Sequence, residues 1–162
     1  MHNPVMKPRF DDAKAEAFAG RMVGSLSEAA LALMTSLGHR AGLFDTLAEL
    51  SPTDPEVLAQ KTGLAERYVR EWLNNQVAGG YIIYDPYDKS YLLPDNYIPV
   101  LADEESPVFL VPAIQVASSL WHDELKITSV FKTGEGIAWS EHHHHLFCGS
   151  ESLFRPGYKS FL

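Results

Sequence analysis

Apolar residues recur at steps of three and four through the first quarter of the chain, which is the pattern of an amphipathic helix. Gly38 and Gly42 interrupt this pattern, and "LFDTLAEL" then predicts a short second helix. Because the first helix is apolar over much of its circumference, we expect it to contact more than one surface, either in the core or in a second subunit. The stripe that we assign to dimerisation consists of Phe18, Met22, Leu26, Leu33 and Leu37.

The next fifty residues predict two helices joined by a tight turn. Thr53 or Asp54 can cap the first of them, and Pro55 suits its first turn. Gly63 ends this helix, as glycine often does after a last turn. The face that we expect to point inward consists of Val57, Leu58 and Ala59.

The second of these helices, "LAERYVREWLNNQVAGG", is followed by a hairpin. No good capping residue precedes it, because Ala65 stands there. Two β-rich segments, 81–84 and 91–93, flank a turn rich in Asp, Pro and Ser. The predicted inward face of the helix is Ala65, Tyr68, Val69, Trp72, Leu73 and Val77. The order of elements predicts a mostly α protein, a winged helix-turn-helix with a small β-hairpin wing and extra dimerisation helices.

The last third of the chain predicts further helices. The segment 105–127 has Val116, Leu120 and Leu125 at inward positions. A loop and more helical sequence follow, in which Pro156 suits the first turn of a short terminal helix. We therefore divide the chain into a helical and winged-helix dimerisation domain, residues 1–100, and a helical extension, residues 101–162.

Charge argues against binding to nucleic acid or to an anionic membrane. The chain has a net charge of −8, and residues 51–100 alone carry −3, from four basic and seven acidic side chains. Duplex binders usually present a basic face. The N-terminus shows no signal peptide, no run of about 20 apolar residues occurs, and the single cysteine cannot form an internal disulfide. We expect a cytoplasmic protein without nucleic-acid or membrane partners.

Four segments resemble the N-terminal region of bacterial class I S-adenosylmethionine-dependent methyltransferases that begin with a winged-helix dimerisation domain. The segments are "GHRAGLFDTL", "LAQKTGLAERYVREWLNNQVAGGYIIYD", "YLLP" and "FKTGEGIAWSEHHHHLFCGSESLFRPGY". In such enzymes a Rossmann-like domain follows, with a glycine-rich turn that receives the cofactor. Neither "GEG" at 134–136 nor "VAGGY" has the strand-to-helix context of such a turn.

The resemblance implies the dimerisation and substrate-lid region of a methyltransferase whose catalytic domain is missing from these 162 residues. The chain alone is then expected to lack methyl-transfer activity, so its status as an enzyme is uncertain. It implies S-adenosylmethionine and a small methyl acceptor only for the intact enzyme, with a homodimer as the assembly. The sequence could be a truncated form, a truncated gene product or a split protein. The alternative is a winged-helix transcriptional regulator or adaptor that binds a protein or a small ligand.

The run of four histidines at 142–145 has three interpretations. A purification tag fits poorly, because the run is internal. On a helix, Glu141 or His142 could share a face with His145, and Cys148 could add a third zinc ligand. No second ligand cluster supports that site, so we predict no metal site and no catalytic residue. The resemblance instead implies a pocket wall in the intact enzyme, formed by His142, His145, Phe154 and Tyr158.

Overall fold

The structure, a computed structural model, describes residues 10–161. The first nine residues, on which the absence of a signal peptide partly rests, and Leu162 lie outside the described part. The helices are α1 (Asp12–Arg40), α2 (Leu43–Leu50), α3 (Pro55–Thr62), α4 (Glu66–Ala78), α5 (Ile98–Leu101), α6 (Val111–His122), α7 (Glu124–Thr133) and α8 (His144–Phe161). The strands are β1 (Ile83–Asp85) and β2 (Ser90–Leu92).

Helix α1 is long and divides into two parts with different surroundings. The Asp11 carboxylate caps it by accepting a hydrogen bond from the Lys14 N–H at 3.2 Å. From residue 10 to residue 28 every side chain is exposed. Burial begins further along, where Leu31, Thr35 and Gly38 face the rest of the chain. The second half of α1 is therefore a core helix, while the first half has no partner within the described residues.

Helices α2, α3 and α4 form the helical part of the winged helix. The Asp54 carboxylate caps α3 by accepting from the Val57 N–H at 2.8 Å. Gly63 ends α3 at φ 71°, a left-handed conformation that glycine adopts without steric cost. Ala65 precedes α4 without a capping hydrogen bond from its side chain, as predicted.

The wing is a two-stranded antiparallel hairpin. Tyr84 lies opposite Tyr91, and Asp85 lies opposite Ser90. Thr53 extends the ladder, because its N–H donates to the Tyr91 carbonyl at 3.0 Å and its carbonyl accepts from the Tyr91 N–H at 2.7 Å. The hairpin and the three helices confirm the predicted class, a mostly α winged helix-turn-helix.

The core of the winged helix is centred on Trp72. Its ring packs edge-on against Phe44, with centroids 4.9 Å apart, and its Nε1–H donates to the Met34 carbonyl at 2.9 Å. Gly38 makes this packing possible, since a Cβ atom there would lie 2.4 Å from the indole. Among the described residues, the apolar side chains with no exposed surface are Phe44, Leu47, Leu58, Leu73 and Leu93.

On α3 and α4, three residues predicted to point inward, Val57, Ala65 and Tyr68, are exposed, and Gln76, which the pattern does not place inward, is buried. Val57 is exposed although Leu58 and Ala59 are buried, because the short α3 turns only one edge toward the core. Tyr68 is 72% exposed, because it lies at the edge of the apolar face of α4. Gln76 is fully buried on that face, where its carboxamide contacts the Thr35 hydroxyl at 3.4 Å.

Helices α6 and α8 pack against each other in antiparallel directions, and α6 also contacts α1. The close approach depends on Gly149, where a Cβ atom would lie 2.9 Å from Val116. The segment 105–127, predicted as one helical region, forms α6 and the start of α7. Leu120 and Leu125 are exposed rather than inward, because α8 covers a different face of α6, and Leu125 lies on α7.

The terminal helix is longer than predicted. Pro156 lies inside α8 and is buried, rather than standing in the first turn of a new helix. The twelve residues from His144 to Arg155 precede it in the same helix, so packing of α8 on α6 outweighs the local cost of proline. Within residues 10–161, no helix combines the length and the hydropathy that a membrane span requires.

Candidate functional site

Three histidines converge where the end of α6 meets the beginning of α8. His122 is the last residue of α6, His143 directly precedes α8, and His145 lies in its first turn. One nitrogen from each ring can be chosen so that all three lie within 4.8 Å of one another. The rings of His122 and His143 are stacked, with centroids 3.8 Å apart and an interplanar angle of 10°. His145 stands edge-on to both, at 5.2 Å from His122 and 4.4 Å from His143.

The carboxylate of Asp123 holds this arrangement together. It is 2% exposed and accepts from the backbone N–H of His143 at 2.9 Å. Its oxygens also lie 3.1 Å from Nδ1 of His142 and 3.2 Å from Nζ of Lys126. Lys126 additionally donates to the carbonyl of Glu141. The junction of α6 and α7 therefore fixes the segment that leads into α8.

His145 sits in a hydrogen-bonded chain that defines its protonation. Nη2 of Arg40 lies 3.0 Å from Nε2 of His145, and the Ser118 hydroxyl lies 3.1 Å from Nδ1. A guanidinium only donates, so Nε2 accepts and carries a lone pair. Nδ1–H then donates to Ser118, whose hydroxyl donates to the Gln115 carbonyl at 2.8 Å. The imidazole of His145 is therefore neutral, with its proton on Nδ1.

The surroundings also favour the neutral form of the imidazole at two of the three histidines, His143 and His145. Desolvation lowers the pKa of His143, and the neighbouring His122 and His144 lower it further. Desolvation likewise lowers the pKa of His145, with a further contribution from the positive charge of Arg40. Near neutral pH these two rings offer lone pairs rather than positive charge.

Asp123 should make acid stability depend on pH in a defined window. Hydrogen bonding by the His143 N–H, ahead of contributions from Lys126 and His142, lowers the pKa of Asp123 from 3.8 to about 2. Between these values the unfolded state binds more protons, so stability rises with pH. The contribution of Asp123 is complete above about pH 4 and is lost as the pH falls through about 2.

The measurement is a titration of the Asp123 carboxyl carbon by NMR, with the signal assigned by comparison with Asp123→Asn. We expect a midpoint near pH 2. Asp88, a wing residue, is the control carboxylate. A midpoint for Asp123 near its ordinary value of 3.8 would contradict the network described above.

An apolar groove of about 540 Å³ runs between α1 and α6 and ends at the histidines. Leu33 and Leu37 form its α1 side, and Ile114 and Trp121 form its α6 side. His145 lies at its end. The groove could accommodate an apolar group and bring it next to the imidazole rings.

The predicted pocket residues do not share one surface. His142 contacts Asp123, and His145 faces α6. Phe154 and Tyr158 are exposed on α8. Nine residues separate His145 from Phe154, which at 100° per residue places them on opposite sides of the helix. The chain alone therefore forms two separate surfaces from these four positions.

Several residues of the cluster escape prediction from the sequence. His122 lies 21 positions before His143, and Arg40 lies 105 positions before His145, so only packing brings them together. The helical pairing of Glu141 or His142 with His145, considered for a zinc site, does not form, because α8 begins only at His144. The signal that could have indicated the site is a histidine at the end of one helix and further histidines at the start of a later helix that packs against it in the opposite direction.

A comparison with protein-family models supports the assignment of a winged helix. Residues 29–102 match the family model described as the Rv2258c-like winged HTH domain. The match begins in α1 and ends just after α5, so it takes in α2, α3, α4 and the wing. These residues form a winged helix-turn-helix domain.

Solved structures extend the likeness to most of the chain. A structure described as PigF with SAH is similar with a TM-score of 0.61 and 18% sequence identity. The similarity covers 90% of this chain and 45% of that one, so the chain spans less than half the length of that structure. At this identity the likeness shows the fold. A comparison with the curated proteins finds no match.

Proposed function

We propose that this chain is the dimerisation and substrate-lid region of an S-adenosylmethionine-dependent methyltransferase that acts on a small molecule. The winged-helix match and the fold shared with PigF, a structure that holds SAH, support the proposal. The four segments that resemble such enzymes also support it, and they include the histidine run and α8.

The exposed first half of α1 is the observation that carries this proposal. Leu26 is 66% exposed, and Phe18 and Met22 are exposed on the same side. An isolated helix of about 15 residues is only marginally stable in water. This half of α1 therefore requires a partner, and a second copy of the chain is the partner that we propose.

The chain offers both halves of a two-fold interface. The apolar stripe continues from the exposed half of α1 into Leu33 and Leu37, which line the groove against α6. The groove is therefore continuous with the stripe and supplies an apolar surface for the helix of a second copy. In a two-fold dimer each contact occurs twice. The exposed half of α1 from each copy can therefore pack into the groove of the other copy.

The charges of the winged helix favour packing over DNA binding. Arg70 on α4 pairs with Glu56 at 2.7 Å and also with Glu66. The wing carries Asp85 and Asp88 against Lys89. A fluorescence-anisotropy titration with duplex DNA at physiological salt separates the proposal from a transcriptional regulator. Sub-micromolar binding with a steep salt dependence would favour the regulator.

The described residues do not fit S-adenosylmethionine by themselves. Class I enzymes hold that cofactor at the carboxyl ends of parallel strands, beside a glycine-rich turn. Within residues 10–161, the sheet consists of β1 and β2 in an antiparallel pair. We therefore assign cofactor binding to the intact enzyme and derive no catalytic step from this chain.

Calorimetry with S-adenosylmethionine tests that assignment. We expect no saturable isotherm with the 162-residue protein at micromolar concentrations. In the intact enzyme, Tyr158→Ala should weaken cofactor or substrate binding by about tenfold, which corresponds to about 1.4 kcal/mol. Asn74→Ala, on the exposed face of α4, is the matched control and should change binding by less than twofold. A micromolar isotherm with this chain would place the cofactor site here and contradict the domain assignment.

A further inference from the structure

We propose that His122, His143 and His145 form a binding site for a divalent transition-metal ion that prefers imidazole ligands, with Zn²⁺ as the probe. Nitrogen atoms of the three rings already lie within 4.8 Å of one another. In tetrahedral coordination, with Zn–N distances of 2.0–2.1 Å, ligand nitrogens stand about 3.3 Å apart. Rotation of the side chains, chiefly that of His122, would bring the nitrogens to this separation. This proposal departs from the sequence prediction, which finds no metal site, and it does not depend on the methyltransferase proposal.

The hydrogen bonds of His145 leave one of its ring nitrogens able to bind a metal ion. Metal ions bind imidazole through a ring nitrogen that carries a lone pair. Arg40 and Ser118 fix the tautomer of His145 that carries its lone pair on Nε2. This nitrogen is the ligand atom that we assign to His145. In the structure, the Arg40 guanidinium donates a hydrogen bond to this nitrogen, so the Arg40 side chain must move away when the ion binds.

Hydrogen bonds behind the rings resemble the outer shell of known metal sites. Such histidines usually donate their other ring N–H to an oxygen, which fixes the orientation of the ring. Ser118 plays this part for His145, at 3.1 Å from Nδ1. Asp123 acts on His143 through the backbone, where it accepts the N–H at 2.9 Å. Both oxygens belong to α6 or its end, so the helix that carries His122 also orients the other two histidines.

Of the three histidines, His122 must change its side-chain orientation most for a metal ion to bind. Its ring is stacked on that of His143, so the lone pairs of the two rings lie in nearly parallel planes and do not converge on one point. The side chain of His122 is exposed, so it can turn out of the stack without displacing a core residue. Three protein ligands leave a fourth coordination position for water or a substrate atom.

The alternative is non-specific chelation by the histidine run, and His122 distinguishes the two. His122 lies outside the run, whereas His144 belongs to the run but not to the converging group. We would titrate the full 162-residue protein with ZnCl₂ by calorimetry at pH 7.5. The wild type should bind one Zn²⁺ with micromolar or tighter affinity. His122→Ala should weaken this binding at least 30-fold, and His144→Ala should weaken it less than threefold.

Folding controls accompany each variant. His122 and His144 are both exposed, so circular dichroism and thermal unfolding of the two variants should match those of the wild type. His122→Gln provides a second replacement of similar size that removes the imidazole. Equal loss in His122→Ala and His144→Ala, or unchanged binding in His122→Ala, would overturn the proposal in favour of chelation by the run. If no saturable binding is seen at Zn²⁺ concentrations up to about 100 µM, the proposal would be overturned as well.

Arg40 gives an independent readout, because it competes with the metal. Its guanidinium occupies Nε2 of His145 and adds positive charge next to the site. Arg40→Ala should therefore bind Zn²⁺ severalfold more tightly than the wild type. Weaker binding by Arg40→Ala would overturn the assignment of His145 as a ligand.

Discussion

Trp72→Ala should lower the free energy of unfolding by about 3–5 kcal/mol, the usual cost of truncating a large aromatic side chain in a core. Trp72 is 3% exposed and joins three elements. Its ring contacts Phe44 of α2, its Nε1–H donates to Met34 of α1, and its own backbone belongs to α4. Because small domains are stable by about 5–15 kcal/mol, this variant should lose at least about a fifth of the total.

Urea unfolding followed by far-ultraviolet circular dichroism measures this effect. Phe131→Ala is the aromatic control, because Phe131 is 86% exposed on α7, and its midpoint should stay near that of the wild type. A midpoint for Trp72→Ala as close to the wild type as that of the control would contradict the core described here.

Gly38 provides a second test of the same contact. Gly38→Ala should destabilise the wild type by about 1–3 kcal/mol, because the new methyl group overlaps the indole of Trp72. In the background of Trp72→Ala the same substitution should cost much less, since the overlapping atoms are gone. A double-mutant cycle with purely additive effects would show that the two residues are not in contact.

Leu26→Asp should convert the proposed dimer into a monomer. The side chain is at the middle of the apolar stripe of α1, and a carboxylate there would lose its hydration in both copies of the interface. A loss of about 3 kcal/mol corresponds to roughly a hundredfold weaker dimer. The wild type should sediment as a dimer at tens of micromolar, and the variant as a monomer.

Ala17→Asp is the control for this substitution. Nine residues separate Ala17 from Leu26, so it lies on the opposite side of the same exposed helical segment. It introduces the same charge and should leave the dimer intact. A wild type that sediments as a monomer, or a control that dissociates as readily as Leu26→Asp, would exclude the stripe as the interface.

Local patterns were sufficient to predict the elements of the winged helix. Asp54 and Gly63 define the ends of α3 through a side-chain cap and a left-handed glycine, which are properties of residues close in sequence. The spacing of Val69, Trp72 and Leu73 identified the buried face of α4. Tyr68 and Val57 were assigned wrongly because periodicity shows which side is apolar but not how far the covering surface extends.

The region after residue 105 was harder to predict from local patterns. A proline normally lies at the start or the end of a helix, and the sequence around Pro156 predicts a start. The structure keeps it inside α8, because Gly149 lets that helix lie against α6 along its length. The free-energy cost of the proline is local, but the packing of α8 on α6 that offsets it involves residues distant in sequence. Neighbouring residues therefore do not predict the outcome.

By itself, the sequence determined the helices of the winged helix, its hairpin and the apolar stripe of α1. Each depends on interactions within a few positions along the chain. The tertiary structure alone decided that the first half of α1 is exposed while the second half is packed in the core, and that His122 lies next to His143 and His145. The reason is physical: a cluster of side chains from distant positions exists only when two helices pack in one register. Here that register is decided by the contact of Gly149 with α6 and by the hydrogen bonds of Asp123.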